Sequence, residues 1–264
     1  MLRFTSLASG SQGNCLLVEA GATRVLVDCG LSLRETERRL ARRGLEPGAL
    51  RAILVTHEHD DHVGGAYALA AAHGLEVVLT HGTRHAVREA APDAEDKAVA
   101  NGVRFRMIDA RAAFAIDDLE VRPFTVPHDA REPVQYLLSD GARRLGVLTD
   151  LGAPTAHVVE MLSGCDALVL ECNHARDLLW NGGYPRWLKA RIGGPLGHLD
   201  NDAAAALLEA LDRSRLQHVI AAHLSEQNNR PALARAALAG VLGCAADEVG
   251  LATQADGFDW RTLG

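Results

Sequence analysis

The chain alternates short apolar runs with turn-forming clusters, and the first runs have the character of β-strands. LRFTSLA (2–8), NCLLVEA (14–20) and TRVLVDC (23–29) open it, each closed by a Gly-containing turn such as SGSQGN or AGAT. The period then changes. Ser32 to Arg43 carries a helical pattern, with Ser32 placed to cap it and Glu35 to complete a capping box. A strand AILVT (52–56), an Ala-rich helix from Gly64 to His73 and a strand LEVVLT (75–80) follow. From Gly102 the alternation restarts with VRFRMID (103–109), LEVRPFTV (119–126), VQYLLSD (134–140) and RRLGVLTD (143–150). A helix over Ala153–Leu162, a strand ALVLEC (167–172) and helices over Pro185–Arg191 and Asn201–Leu211 come next. A strand HVIAAH (218–223) and a helix around Pro231–Val241 complete the pattern. Two successive halves, strands first and helices after, predict two facing sheets with helices outside. No linker or low-complexity stretch separates the halves, so residues 1–264 are read as one domain, long enough to bury a proper core.

Composition narrows the class only a little. Hydrophobic content of 48% with 23% charged residues is that of an ordinary globular chain. A net charge of −7 gives no global basic footprint for a polyanion, although a local patch is compatible with it. Five scattered cysteines with no CxxC pair indicate a reducing compartment. The start MLRFTSLASGSQGNC lacks the marks of a secretory signal, and no apolar run approaches a membrane span. A cytoplasmic protein that does not engage a membrane is expected.

One stretch departs from this ordinary picture. ILVTHEHDDHVGG, Ile53 to Gly65, holds six consecutive ionisable side chains, and such a cluster cannot be packed unless something neutralises it. His57, His59, Asp61 and His62 follow the run AILVT. His128 follows VRPFTVP, Asp150 follows RRLGVLT and His223 follows HVIAA, so all seven stand at the ends of β-type runs. Imidazole and carboxylate together are the ligand set of Zn²⁺ and its first-row neighbours, and seven groups suffice for two metals. Zn²⁺ is the first candidate, with Mn²⁺ and Fe²⁺ accepted by the same donors. Two cations a few ångströms apart can clamp a scissile group and generate hydroxide at neutral pH.

THEHDDH, followed in order by PHD, TD and AHLS, resembles the HxHxDH signature and later motifs of the metallo-β-lactamase superfamily. The resemblance spans essentially the whole chain. It implies a four-layer αββα sandwich of two mixed β-sheets with helices outside. It also implies that His57, His59 and His128 hold one metal, that Asp61, His62 and His223 hold the other, and that Asp150 bridges them. Glu58 and Asp60 fall at the variable positions and are expected behind the ligands or facing solvent. SGSQGN, ECNHA, NGGYPRWLKARIGGPLGHLDN and AHLSEQNN are similar to the YycJ (WalJ)-like branch, which implies a cytoplasmic nuclease, a 5′→3′ exonuclease on DNA in preference to RNA. By the same resemblance His198 donates a proton to the leaving oxygen and Glu171 orients it, as a departing alkoxide requires. His198 also has two other readings, as a metal ligand in place of His223 and as a structural cap of the following helix.

Other features stay open at this level. Backbone N–H groups from Gly10 to Asn14, with Ser11 and Gly13 between, could form a phosphate nest or a plain Gly-rich turn. Arg176, Arg186, Lys189 and Arg191, with Tyr184 and Trp187 interleaved, could meet a nucleic acid. Equally, they could form an amphipathic helix that buries Trp187 and Leu188. His73, His81, His85, His157, His174 and His218 match no ligand position. The His81–His85 spacing is weakened by Gly82, a poor helix former, and His174 lies beside Glu171. The best reading is a dinuclear-metal phosphodiesterase acting on nucleic acid. The alternatives are a thioester or lactone hydrolase resembling glyoxalase II, and a non-hydrolytic di-iron or metal-bound interaction module. The interval from Asp150 to His198 is too short for the inserted β-CASP domain, and no basic tRNA-gripping arm is evident.

Overall fold

In the computed structural model, which describes residues 1–264, the strands form two sheets of seven. The first opens as an antiparallel meander of β1 (Leu2–Ala8), β2 (Cys15–Ala20) and β3 (Thr23–Val27). It turns parallel at β4 (Ala52–Leu54), β5 (Glu76–Thr80) and β6 (Arg104–Ile108). The second repeats that plan. β7 (Phe114–Ile116), β8 (Leu119–Thr125), β9 (Val134–Ser139) and β10 (Arg144–Leu148) run antiparallel. β11 (Ala167–Glu171), β12 (His218–Ala222) and β13 (Gly250–Leu251) continue in parallel.

Parallel neighbours need crossovers, and helices supply them. α1 (Leu33–Arg42) links β3 to β4, and its N-cap is Ser32, whose side chain accepts from the Glu35 N–H. α2 (Asp60–Val63), α3 (Ala66–His73), α4 (His81–Ala90) and α5 (Pro92–Ala100) complete the outer layer of the first sheet. α6 (Ala156–Leu162), α7 (Arg176–Asn181), α8 (Arg186–Ile192), α9 (Asn201–Ala210) and α10 (Pro231–Leu242) belong to the second half.

Period-2 alternation divides each strand between two apolar layers. Leu16 and Val18 of β2 face a central cluster of 26 buried residues that also takes Val121, Tyr136, Val147, Val169 and Ile220 from the second sheet. Leu17, Leu26 and Ile53 point the other way, into a cluster of 22 under α1 and α3. A further 22, including Leu168, Leu170, Leu207 and Leu238, fill the space between the second sheet and its helices. Three apolar layers separate four layers of structure, the αββα sandwich that the resemblance implies.

The short elements α5, α7, β7 and β13 have no counterpart in the sequence reading, and three further differences bear on the packing. The division into two clean halves fails at the last strand, β14 (Phe258–Thr262), which crosses back to pair antiparallel with β1. The helix expected from Gly64 starts at Ala66 after the separate turn α2. Gly65 packs so closely that an added Cβ would lie 1.8 Å from the Leu31 carbonyl oxygen. Gly82 does not prevent a helix at His81–His85. Thr80 caps α4 through the Thr83 N–H at 3.2 Å, and a Cβ on Gly82 would lie 2.4 Å from Cβ of Glu132, so packing there demands glycine.

Candidate metal centre

The polar residues gather where strands of both sheets end. His57, His59, Asp61 and His62 lie between β4 and α3, His128 follows β8, Asp150 follows β10, Glu171 ends β11 and His223 follows β12. His223 holds φ at +53°, an unfavourable region for a non-glycine residue that its surroundings must maintain. The sheets supply rigid stems, and the loops beyond them bring every one of these groups to one end of the sandwich.

Three of the imidazoles have one nitrogen tied down and the other free to converge. His57 Nδ1 meets Thr56 Oγ1 at 3.0 Å, His128 Nδ1 donates to the Gly197 carbonyl at 3.1 Å, and His62 Nδ1 donates to Asp28 Oδ2 at 2.7 Å. His57 Nε2, His59 Nδ1 and His128 Nε2 are left facing one another, with separations of 3.0 and 3.3 Å along that series. Zn–N bonds of about 2.0–2.1 Å on a tetrahedron put neighbouring nitrogens about 3.4 Å apart, close to this spacing. Asp61 Oδ2 lies 3.4 Å from His62 Nε2 and 3.3 Å from His223 Nε2, forming a second trio. Asp150 stands between the two, with Oδ1 3.7 Å from His128 Nε2 and Oδ2 3.0 Å from His62 Nε2. Its Oδ2 is buried and accepts no well-directed hydrogen bond. A buried, unsatisfied carboxylate oxygen among imidazole nitrogens fits a cation, as does each trio.

The charge pattern has the same physical cause. Burial pushes His57 well below its usual range, and a neighbouring His62 cation adds to the effect. Burial opposes charge on Asp150, but His223 and His62 outweigh it and hold the carboxyl well down. At His223 burial likewise works against the cation, yet the charge of Asp150 and hydrogen bonds that His223 donates to Asp61 and Glu171 raise it to about 9.

His198 sits beside these trios rather than in them. Its Nδ1 is 2.7 Å from Glu171 Oε1 and 3.2 Å from Asp150 Oδ1. Burial lowers its pKa, but the charge of Glu171 and these contacts win and carry it to about 10. Glu171 is itself fixed, because its Oε2 accepts from the N–H groups of Leu151 and Leu199 at 2.9 and 3.2 Å. The reading of His198 as a helix cap fails, since Asp200 caps α9 through the Ala203 N–H at 2.8 Å. His174 is buried beside that cap and, like the other unmatched histidines, stays outside the cleft lining.

His59, Asp61, Asp150, His223 and His198 open into a cleft of about 350 Å³, whose outer wall includes Ser11, Tyr184, Leu188, Arg191 and Ile192. Gly13 and Asn14 do not form the phosphate nest considered from the sequence. The N–H groups of Gly10, Gln12, Gly13 and Asn14 go to Asn14 Oδ1, Gln254 Oε1, the Gly10 carbonyl and the Asp61 carbonyl respectively. Asn14 instead braces the metal loop, since its Nδ2 also reaches Asp61 Oδ2 at 3.4 Å. Of the basic stretch, Arg191 lines the cleft and pairs with Asp129 at 2.5 Å, whereas Arg186 and Lys189 lie outside the lining. Trp187 is 67% exposed, which overturns the amphipathic reading that would bury it. Glu58 accepts the Arg131 N–H at 2.6 Å, and Asp60 is exposed at the cleft edge.

Two contributors escaped the sequence reading. Asp28 accepts from the Thr56 N–H at 2.8 Å as well as engaging His62, and Asp129 Oδ1 lies 3.5 Å from His128 Nε2. The available signal for Asp28 was its place at the end of the β-type run TRVLVD, the position shared by the other donors.

Residues 23–223 match the β-lactamase superfamily domain. The chain is 35% identical to the exodeoxyribonuclease YycJ of Bacillus anthracis over 91% of its own length and 89% of that protein's. It is 32% identical to the exodeoxyribonuclease WalJ of Streptococcus pneumoniae over 88% of its length and 85% of that protein's. In three dimensions it resembles the metallo-β-lactamase fold protein YhfI of Bacillus subtilis, with a TM-score of 0.76 and 14% identity over 99% of this chain and 100% of that one.

Proposed function

Because the chain belongs to the metallo-β-lactamase superfamily, in its YycJ-like branch, we propose that it is a metal-dependent phosphodiesterase that removes nucleotides from DNA, in preference to RNA, in the 5′→3′ direction. The observation that carries this reading is the His198–Glu171 pair, held 2.7 Å apart at the edge of two donor trios, with the Asp150 oxygens 3.7 and 3.0 Å from a histidine of each. Phosphodiester cleavage needs positive charge at the phosphate and a proton for the departing alkoxide, and this end of the sandwich has residues for both. In this reading the protein works as one domain in the cytoplasm. No helix is long and apolar enough to cross a membrane.

His57, His59 and His128 would hold one divalent ion, Asp61, His62 and His223 the other, with Asp150 shared between them and Zn²⁺ the first candidate. When bound, such ions supply Lewis-acid charge at the scissile phosphate and make water acidic enough to attack at neutral pH. The chain's own residues do the rest. Asp28 and Glu171 fix the tautomers of His62 and His223, and Asn14 keeps Asp61 turned inward. His198, anchored at Nδ1 by Glu171, delivers the proton to the leaving oxygen from Nε2. Ser11 and Arg191 lie on the cleft wall where adjoining phosphates would pass.

The direct test is to incubate metal-loaded protein with end-labelled DNA and RNA, single- and double-stranded, with a thioester as control. Stepwise loss from the 5′ end of DNA is expected, and turnover of the thioester alone would overturn the reading. Asp61→Ala should abolish hydrolysis of bis-p-nitrophenyl phosphate; retained turnover would exclude the two-metal assignment.

A further inference from the structure

Two of the five free cysteines face each other beside the donor trios. β2 and β3 pair Leu16 with Val27, and the next bond along the ladder runs from the Gly30 N–H to the Asn14 carbonyl at 3.0 Å. One residue, Cys15, therefore lies opposite two, Asp28 and Cys29. This is a β-bulge, and Asp28 takes φ +60° within it. Cys15 and Cys29 both join the apolar cluster under α1 and α3, and their thiols hydrogen-bond each other. Residues facing across an antiparallel pair stand roughly 4.5–5.5 Å apart at Cα, inside the span that a disulfide bridges.

Each cysteine follows a residue that aims a donor. Asn14 precedes Cys15, and its Nδ2 lies 3.1 Å from His62 Nε2 and 3.4 Å from Asp61 Oδ2. Asp28 precedes Cys29 and holds His62 Nδ1 at 2.7 Å. Cys29 is also bonded to the metal loop on both sides, its N–H to the His62 carbonyl and its carbonyl to the Gly65 N–H, each at 2.8 Å. There is no slack between the segments, since a Cβ on Gly30 would lie 1.9 Å from the Asp61 carbonyl oxygen. A shift of residues 28–30 must therefore pass to Asp61 and His62.

Both thiols are buried, and a cavity of about 10 Å³, lined in part by Cys15, Asn14 and Asp28, has room for about one water-sized molecule. Hydrogen peroxide is an oxidant near that scale; glutathione disulfide is far too large. We propose that Cys15 and Cys29 are a peroxide-oxidised pair whose reversible disulfide displaces Asn14 and Asp28 and weakens cation binding by Asp61, His62 and His223. One thiolate sulfur attacks a peroxide oxygen, the O–O bond breaks, and a sulfenic acid and water result. The second sulfur attacks the sulfenic sulfur, the S–O bond breaks, and the hydroxyl leaves with the remaining thiol proton as water. Two thiols and one peroxide give one disulfide and two waters. Drawing the sulfurs from contact to a bond pulls the two strand ends together. By linkage, a bound cation opposes the disulfide as much as the disulfide opposes the cation. Such a switch acts on cation binding whatever the substrate.

The test treats Zn²⁺-loaded and chelated protein with hydrogen peroxide, then alkylates, digests without reduction and maps the peptides by mass spectrometry. A Cys15–Cys29 cross-link is expected, cleared by dithiothreitol and formed more readily in the chelated protein. Oxidised protein, titrated against a chromophoric chelator, should bind one of its two Zn²⁺ equivalents about 10–100-fold more weakly, the usual cost of losing an outer hydrogen-bond partner. Dithiothreitol should restore that affinity. Cys15→Ala and Cys29→Ala should keep both equivalents through the same treatment, with Cys29→Val as the fuller replacement if an alanine cavity destabilises the fold. Sulfinic acid at either position without a cross-link overturns the pair. A cross-link that leaves Zn²⁺ affinity unchanged overturns its coupling to the site. Equal loss of Zn²⁺ from the cysteine variants would place the damage on other groups and overturn it as well. Reduced wild type that binds no Zn²⁺ would sink the metal assignment itself, an outcome separate from the cross-link map.

Discussion

At the scale of single residues, the site divides into groups that converge on cations and groups that aim them. His198 is the one whose role differs most in kind. Its Nδ1 is committed to Glu171 and Asp150, and neither donor trio needs it. His198→Ala should therefore lower kcat on DNA by about 10²–10⁴-fold, the usual contribution of a positioned proton donor, with metal content at the wild-type level. Loss of one metal equivalent, measured by elemental analysis, would make it a ligand instead. The HxHxDH cluster was legible in the sequence because its residues are adjacent and each tolerates the others only beside a cation. Asp28 was not, because its one signal, a place at the end of a β-type run, is shared with Asp109 and Asp140, which lie outside the site, and only the fold brings it to His62. The Gly10–Asn14 turn stayed open between a phosphate nest and a plain Gly-rich turn for a related reason. Which partners take its N–H groups depends on Gln254 and Asp61, both remote in sequence.

At the scale of elements, strands with a strong period-2 pattern were readable and edge pieces were not. β14 is five residues long with two charged ones, so its signal is weak, and it is held by the Phe258 ring set edge-on to Phe4 at a centroid separation of 5.7 Å. α4 was discounted on Gly82 because propensity, which sequence shows, is outweighed there by contact with Glu132, which it does not show. Asp166, just before β11, is another residue whose importance comes from its surroundings. Its buried carboxylate accepts from the Arg144 N–H at 2.8 Å and pairs with Arg143 and Arg215 at 3.0 and 3.1 Å, tying β10 to β11 and the β12 approach. Burial favours its neutral form, but that N–H and the two guanidinium groups prevail and lower its pKa. A carboxylate with a depressed folded-state pKa stabilises the fold above the ordinary value of about 3.9, and the contribution is lost as pH falls through the folded value. Asp166→Asn should cost about 2 kcal/mol at neutral pH. In urea titrations the gap between wild type and variant should close in acid; a gap that persists at low pH would assign the effect to packing.

On the scale of the whole molecule, the donor cluster lies across the boundary between the sheets. His57, His59, Asp61 and His62 come from loops of the first sheet, and His128, Asp150 and His223 from loops of the second. Behind them both sheets contribute to a single central core, so the sandwich should hold together without metal. Chelated protein is thus expected to keep its far-ultraviolet circular dichroism and to unfold in one calorimetric transition. Bound cations would join the two sheets at their open end and relieve the crowding of Asp61 and Asp150 by opposite charge. A site filled at 100 times its Kd adds about 2.7 kcal/mol to stability, and a chain of this size gains about 2–4 °C in Tm per kcal/mol. Restoring Zn²⁺ should then raise Tm by roughly 5–10 °C for one filled site and further for two, with Asp61→Ala keeping only part of the rise. A Tm that ignores metal in the wild-type protein would mean that no cation bridges the sheets. Two separate transitions in the chelated protein would mean that each sheet folds with its own helices, and the common core does not bind them into one unit.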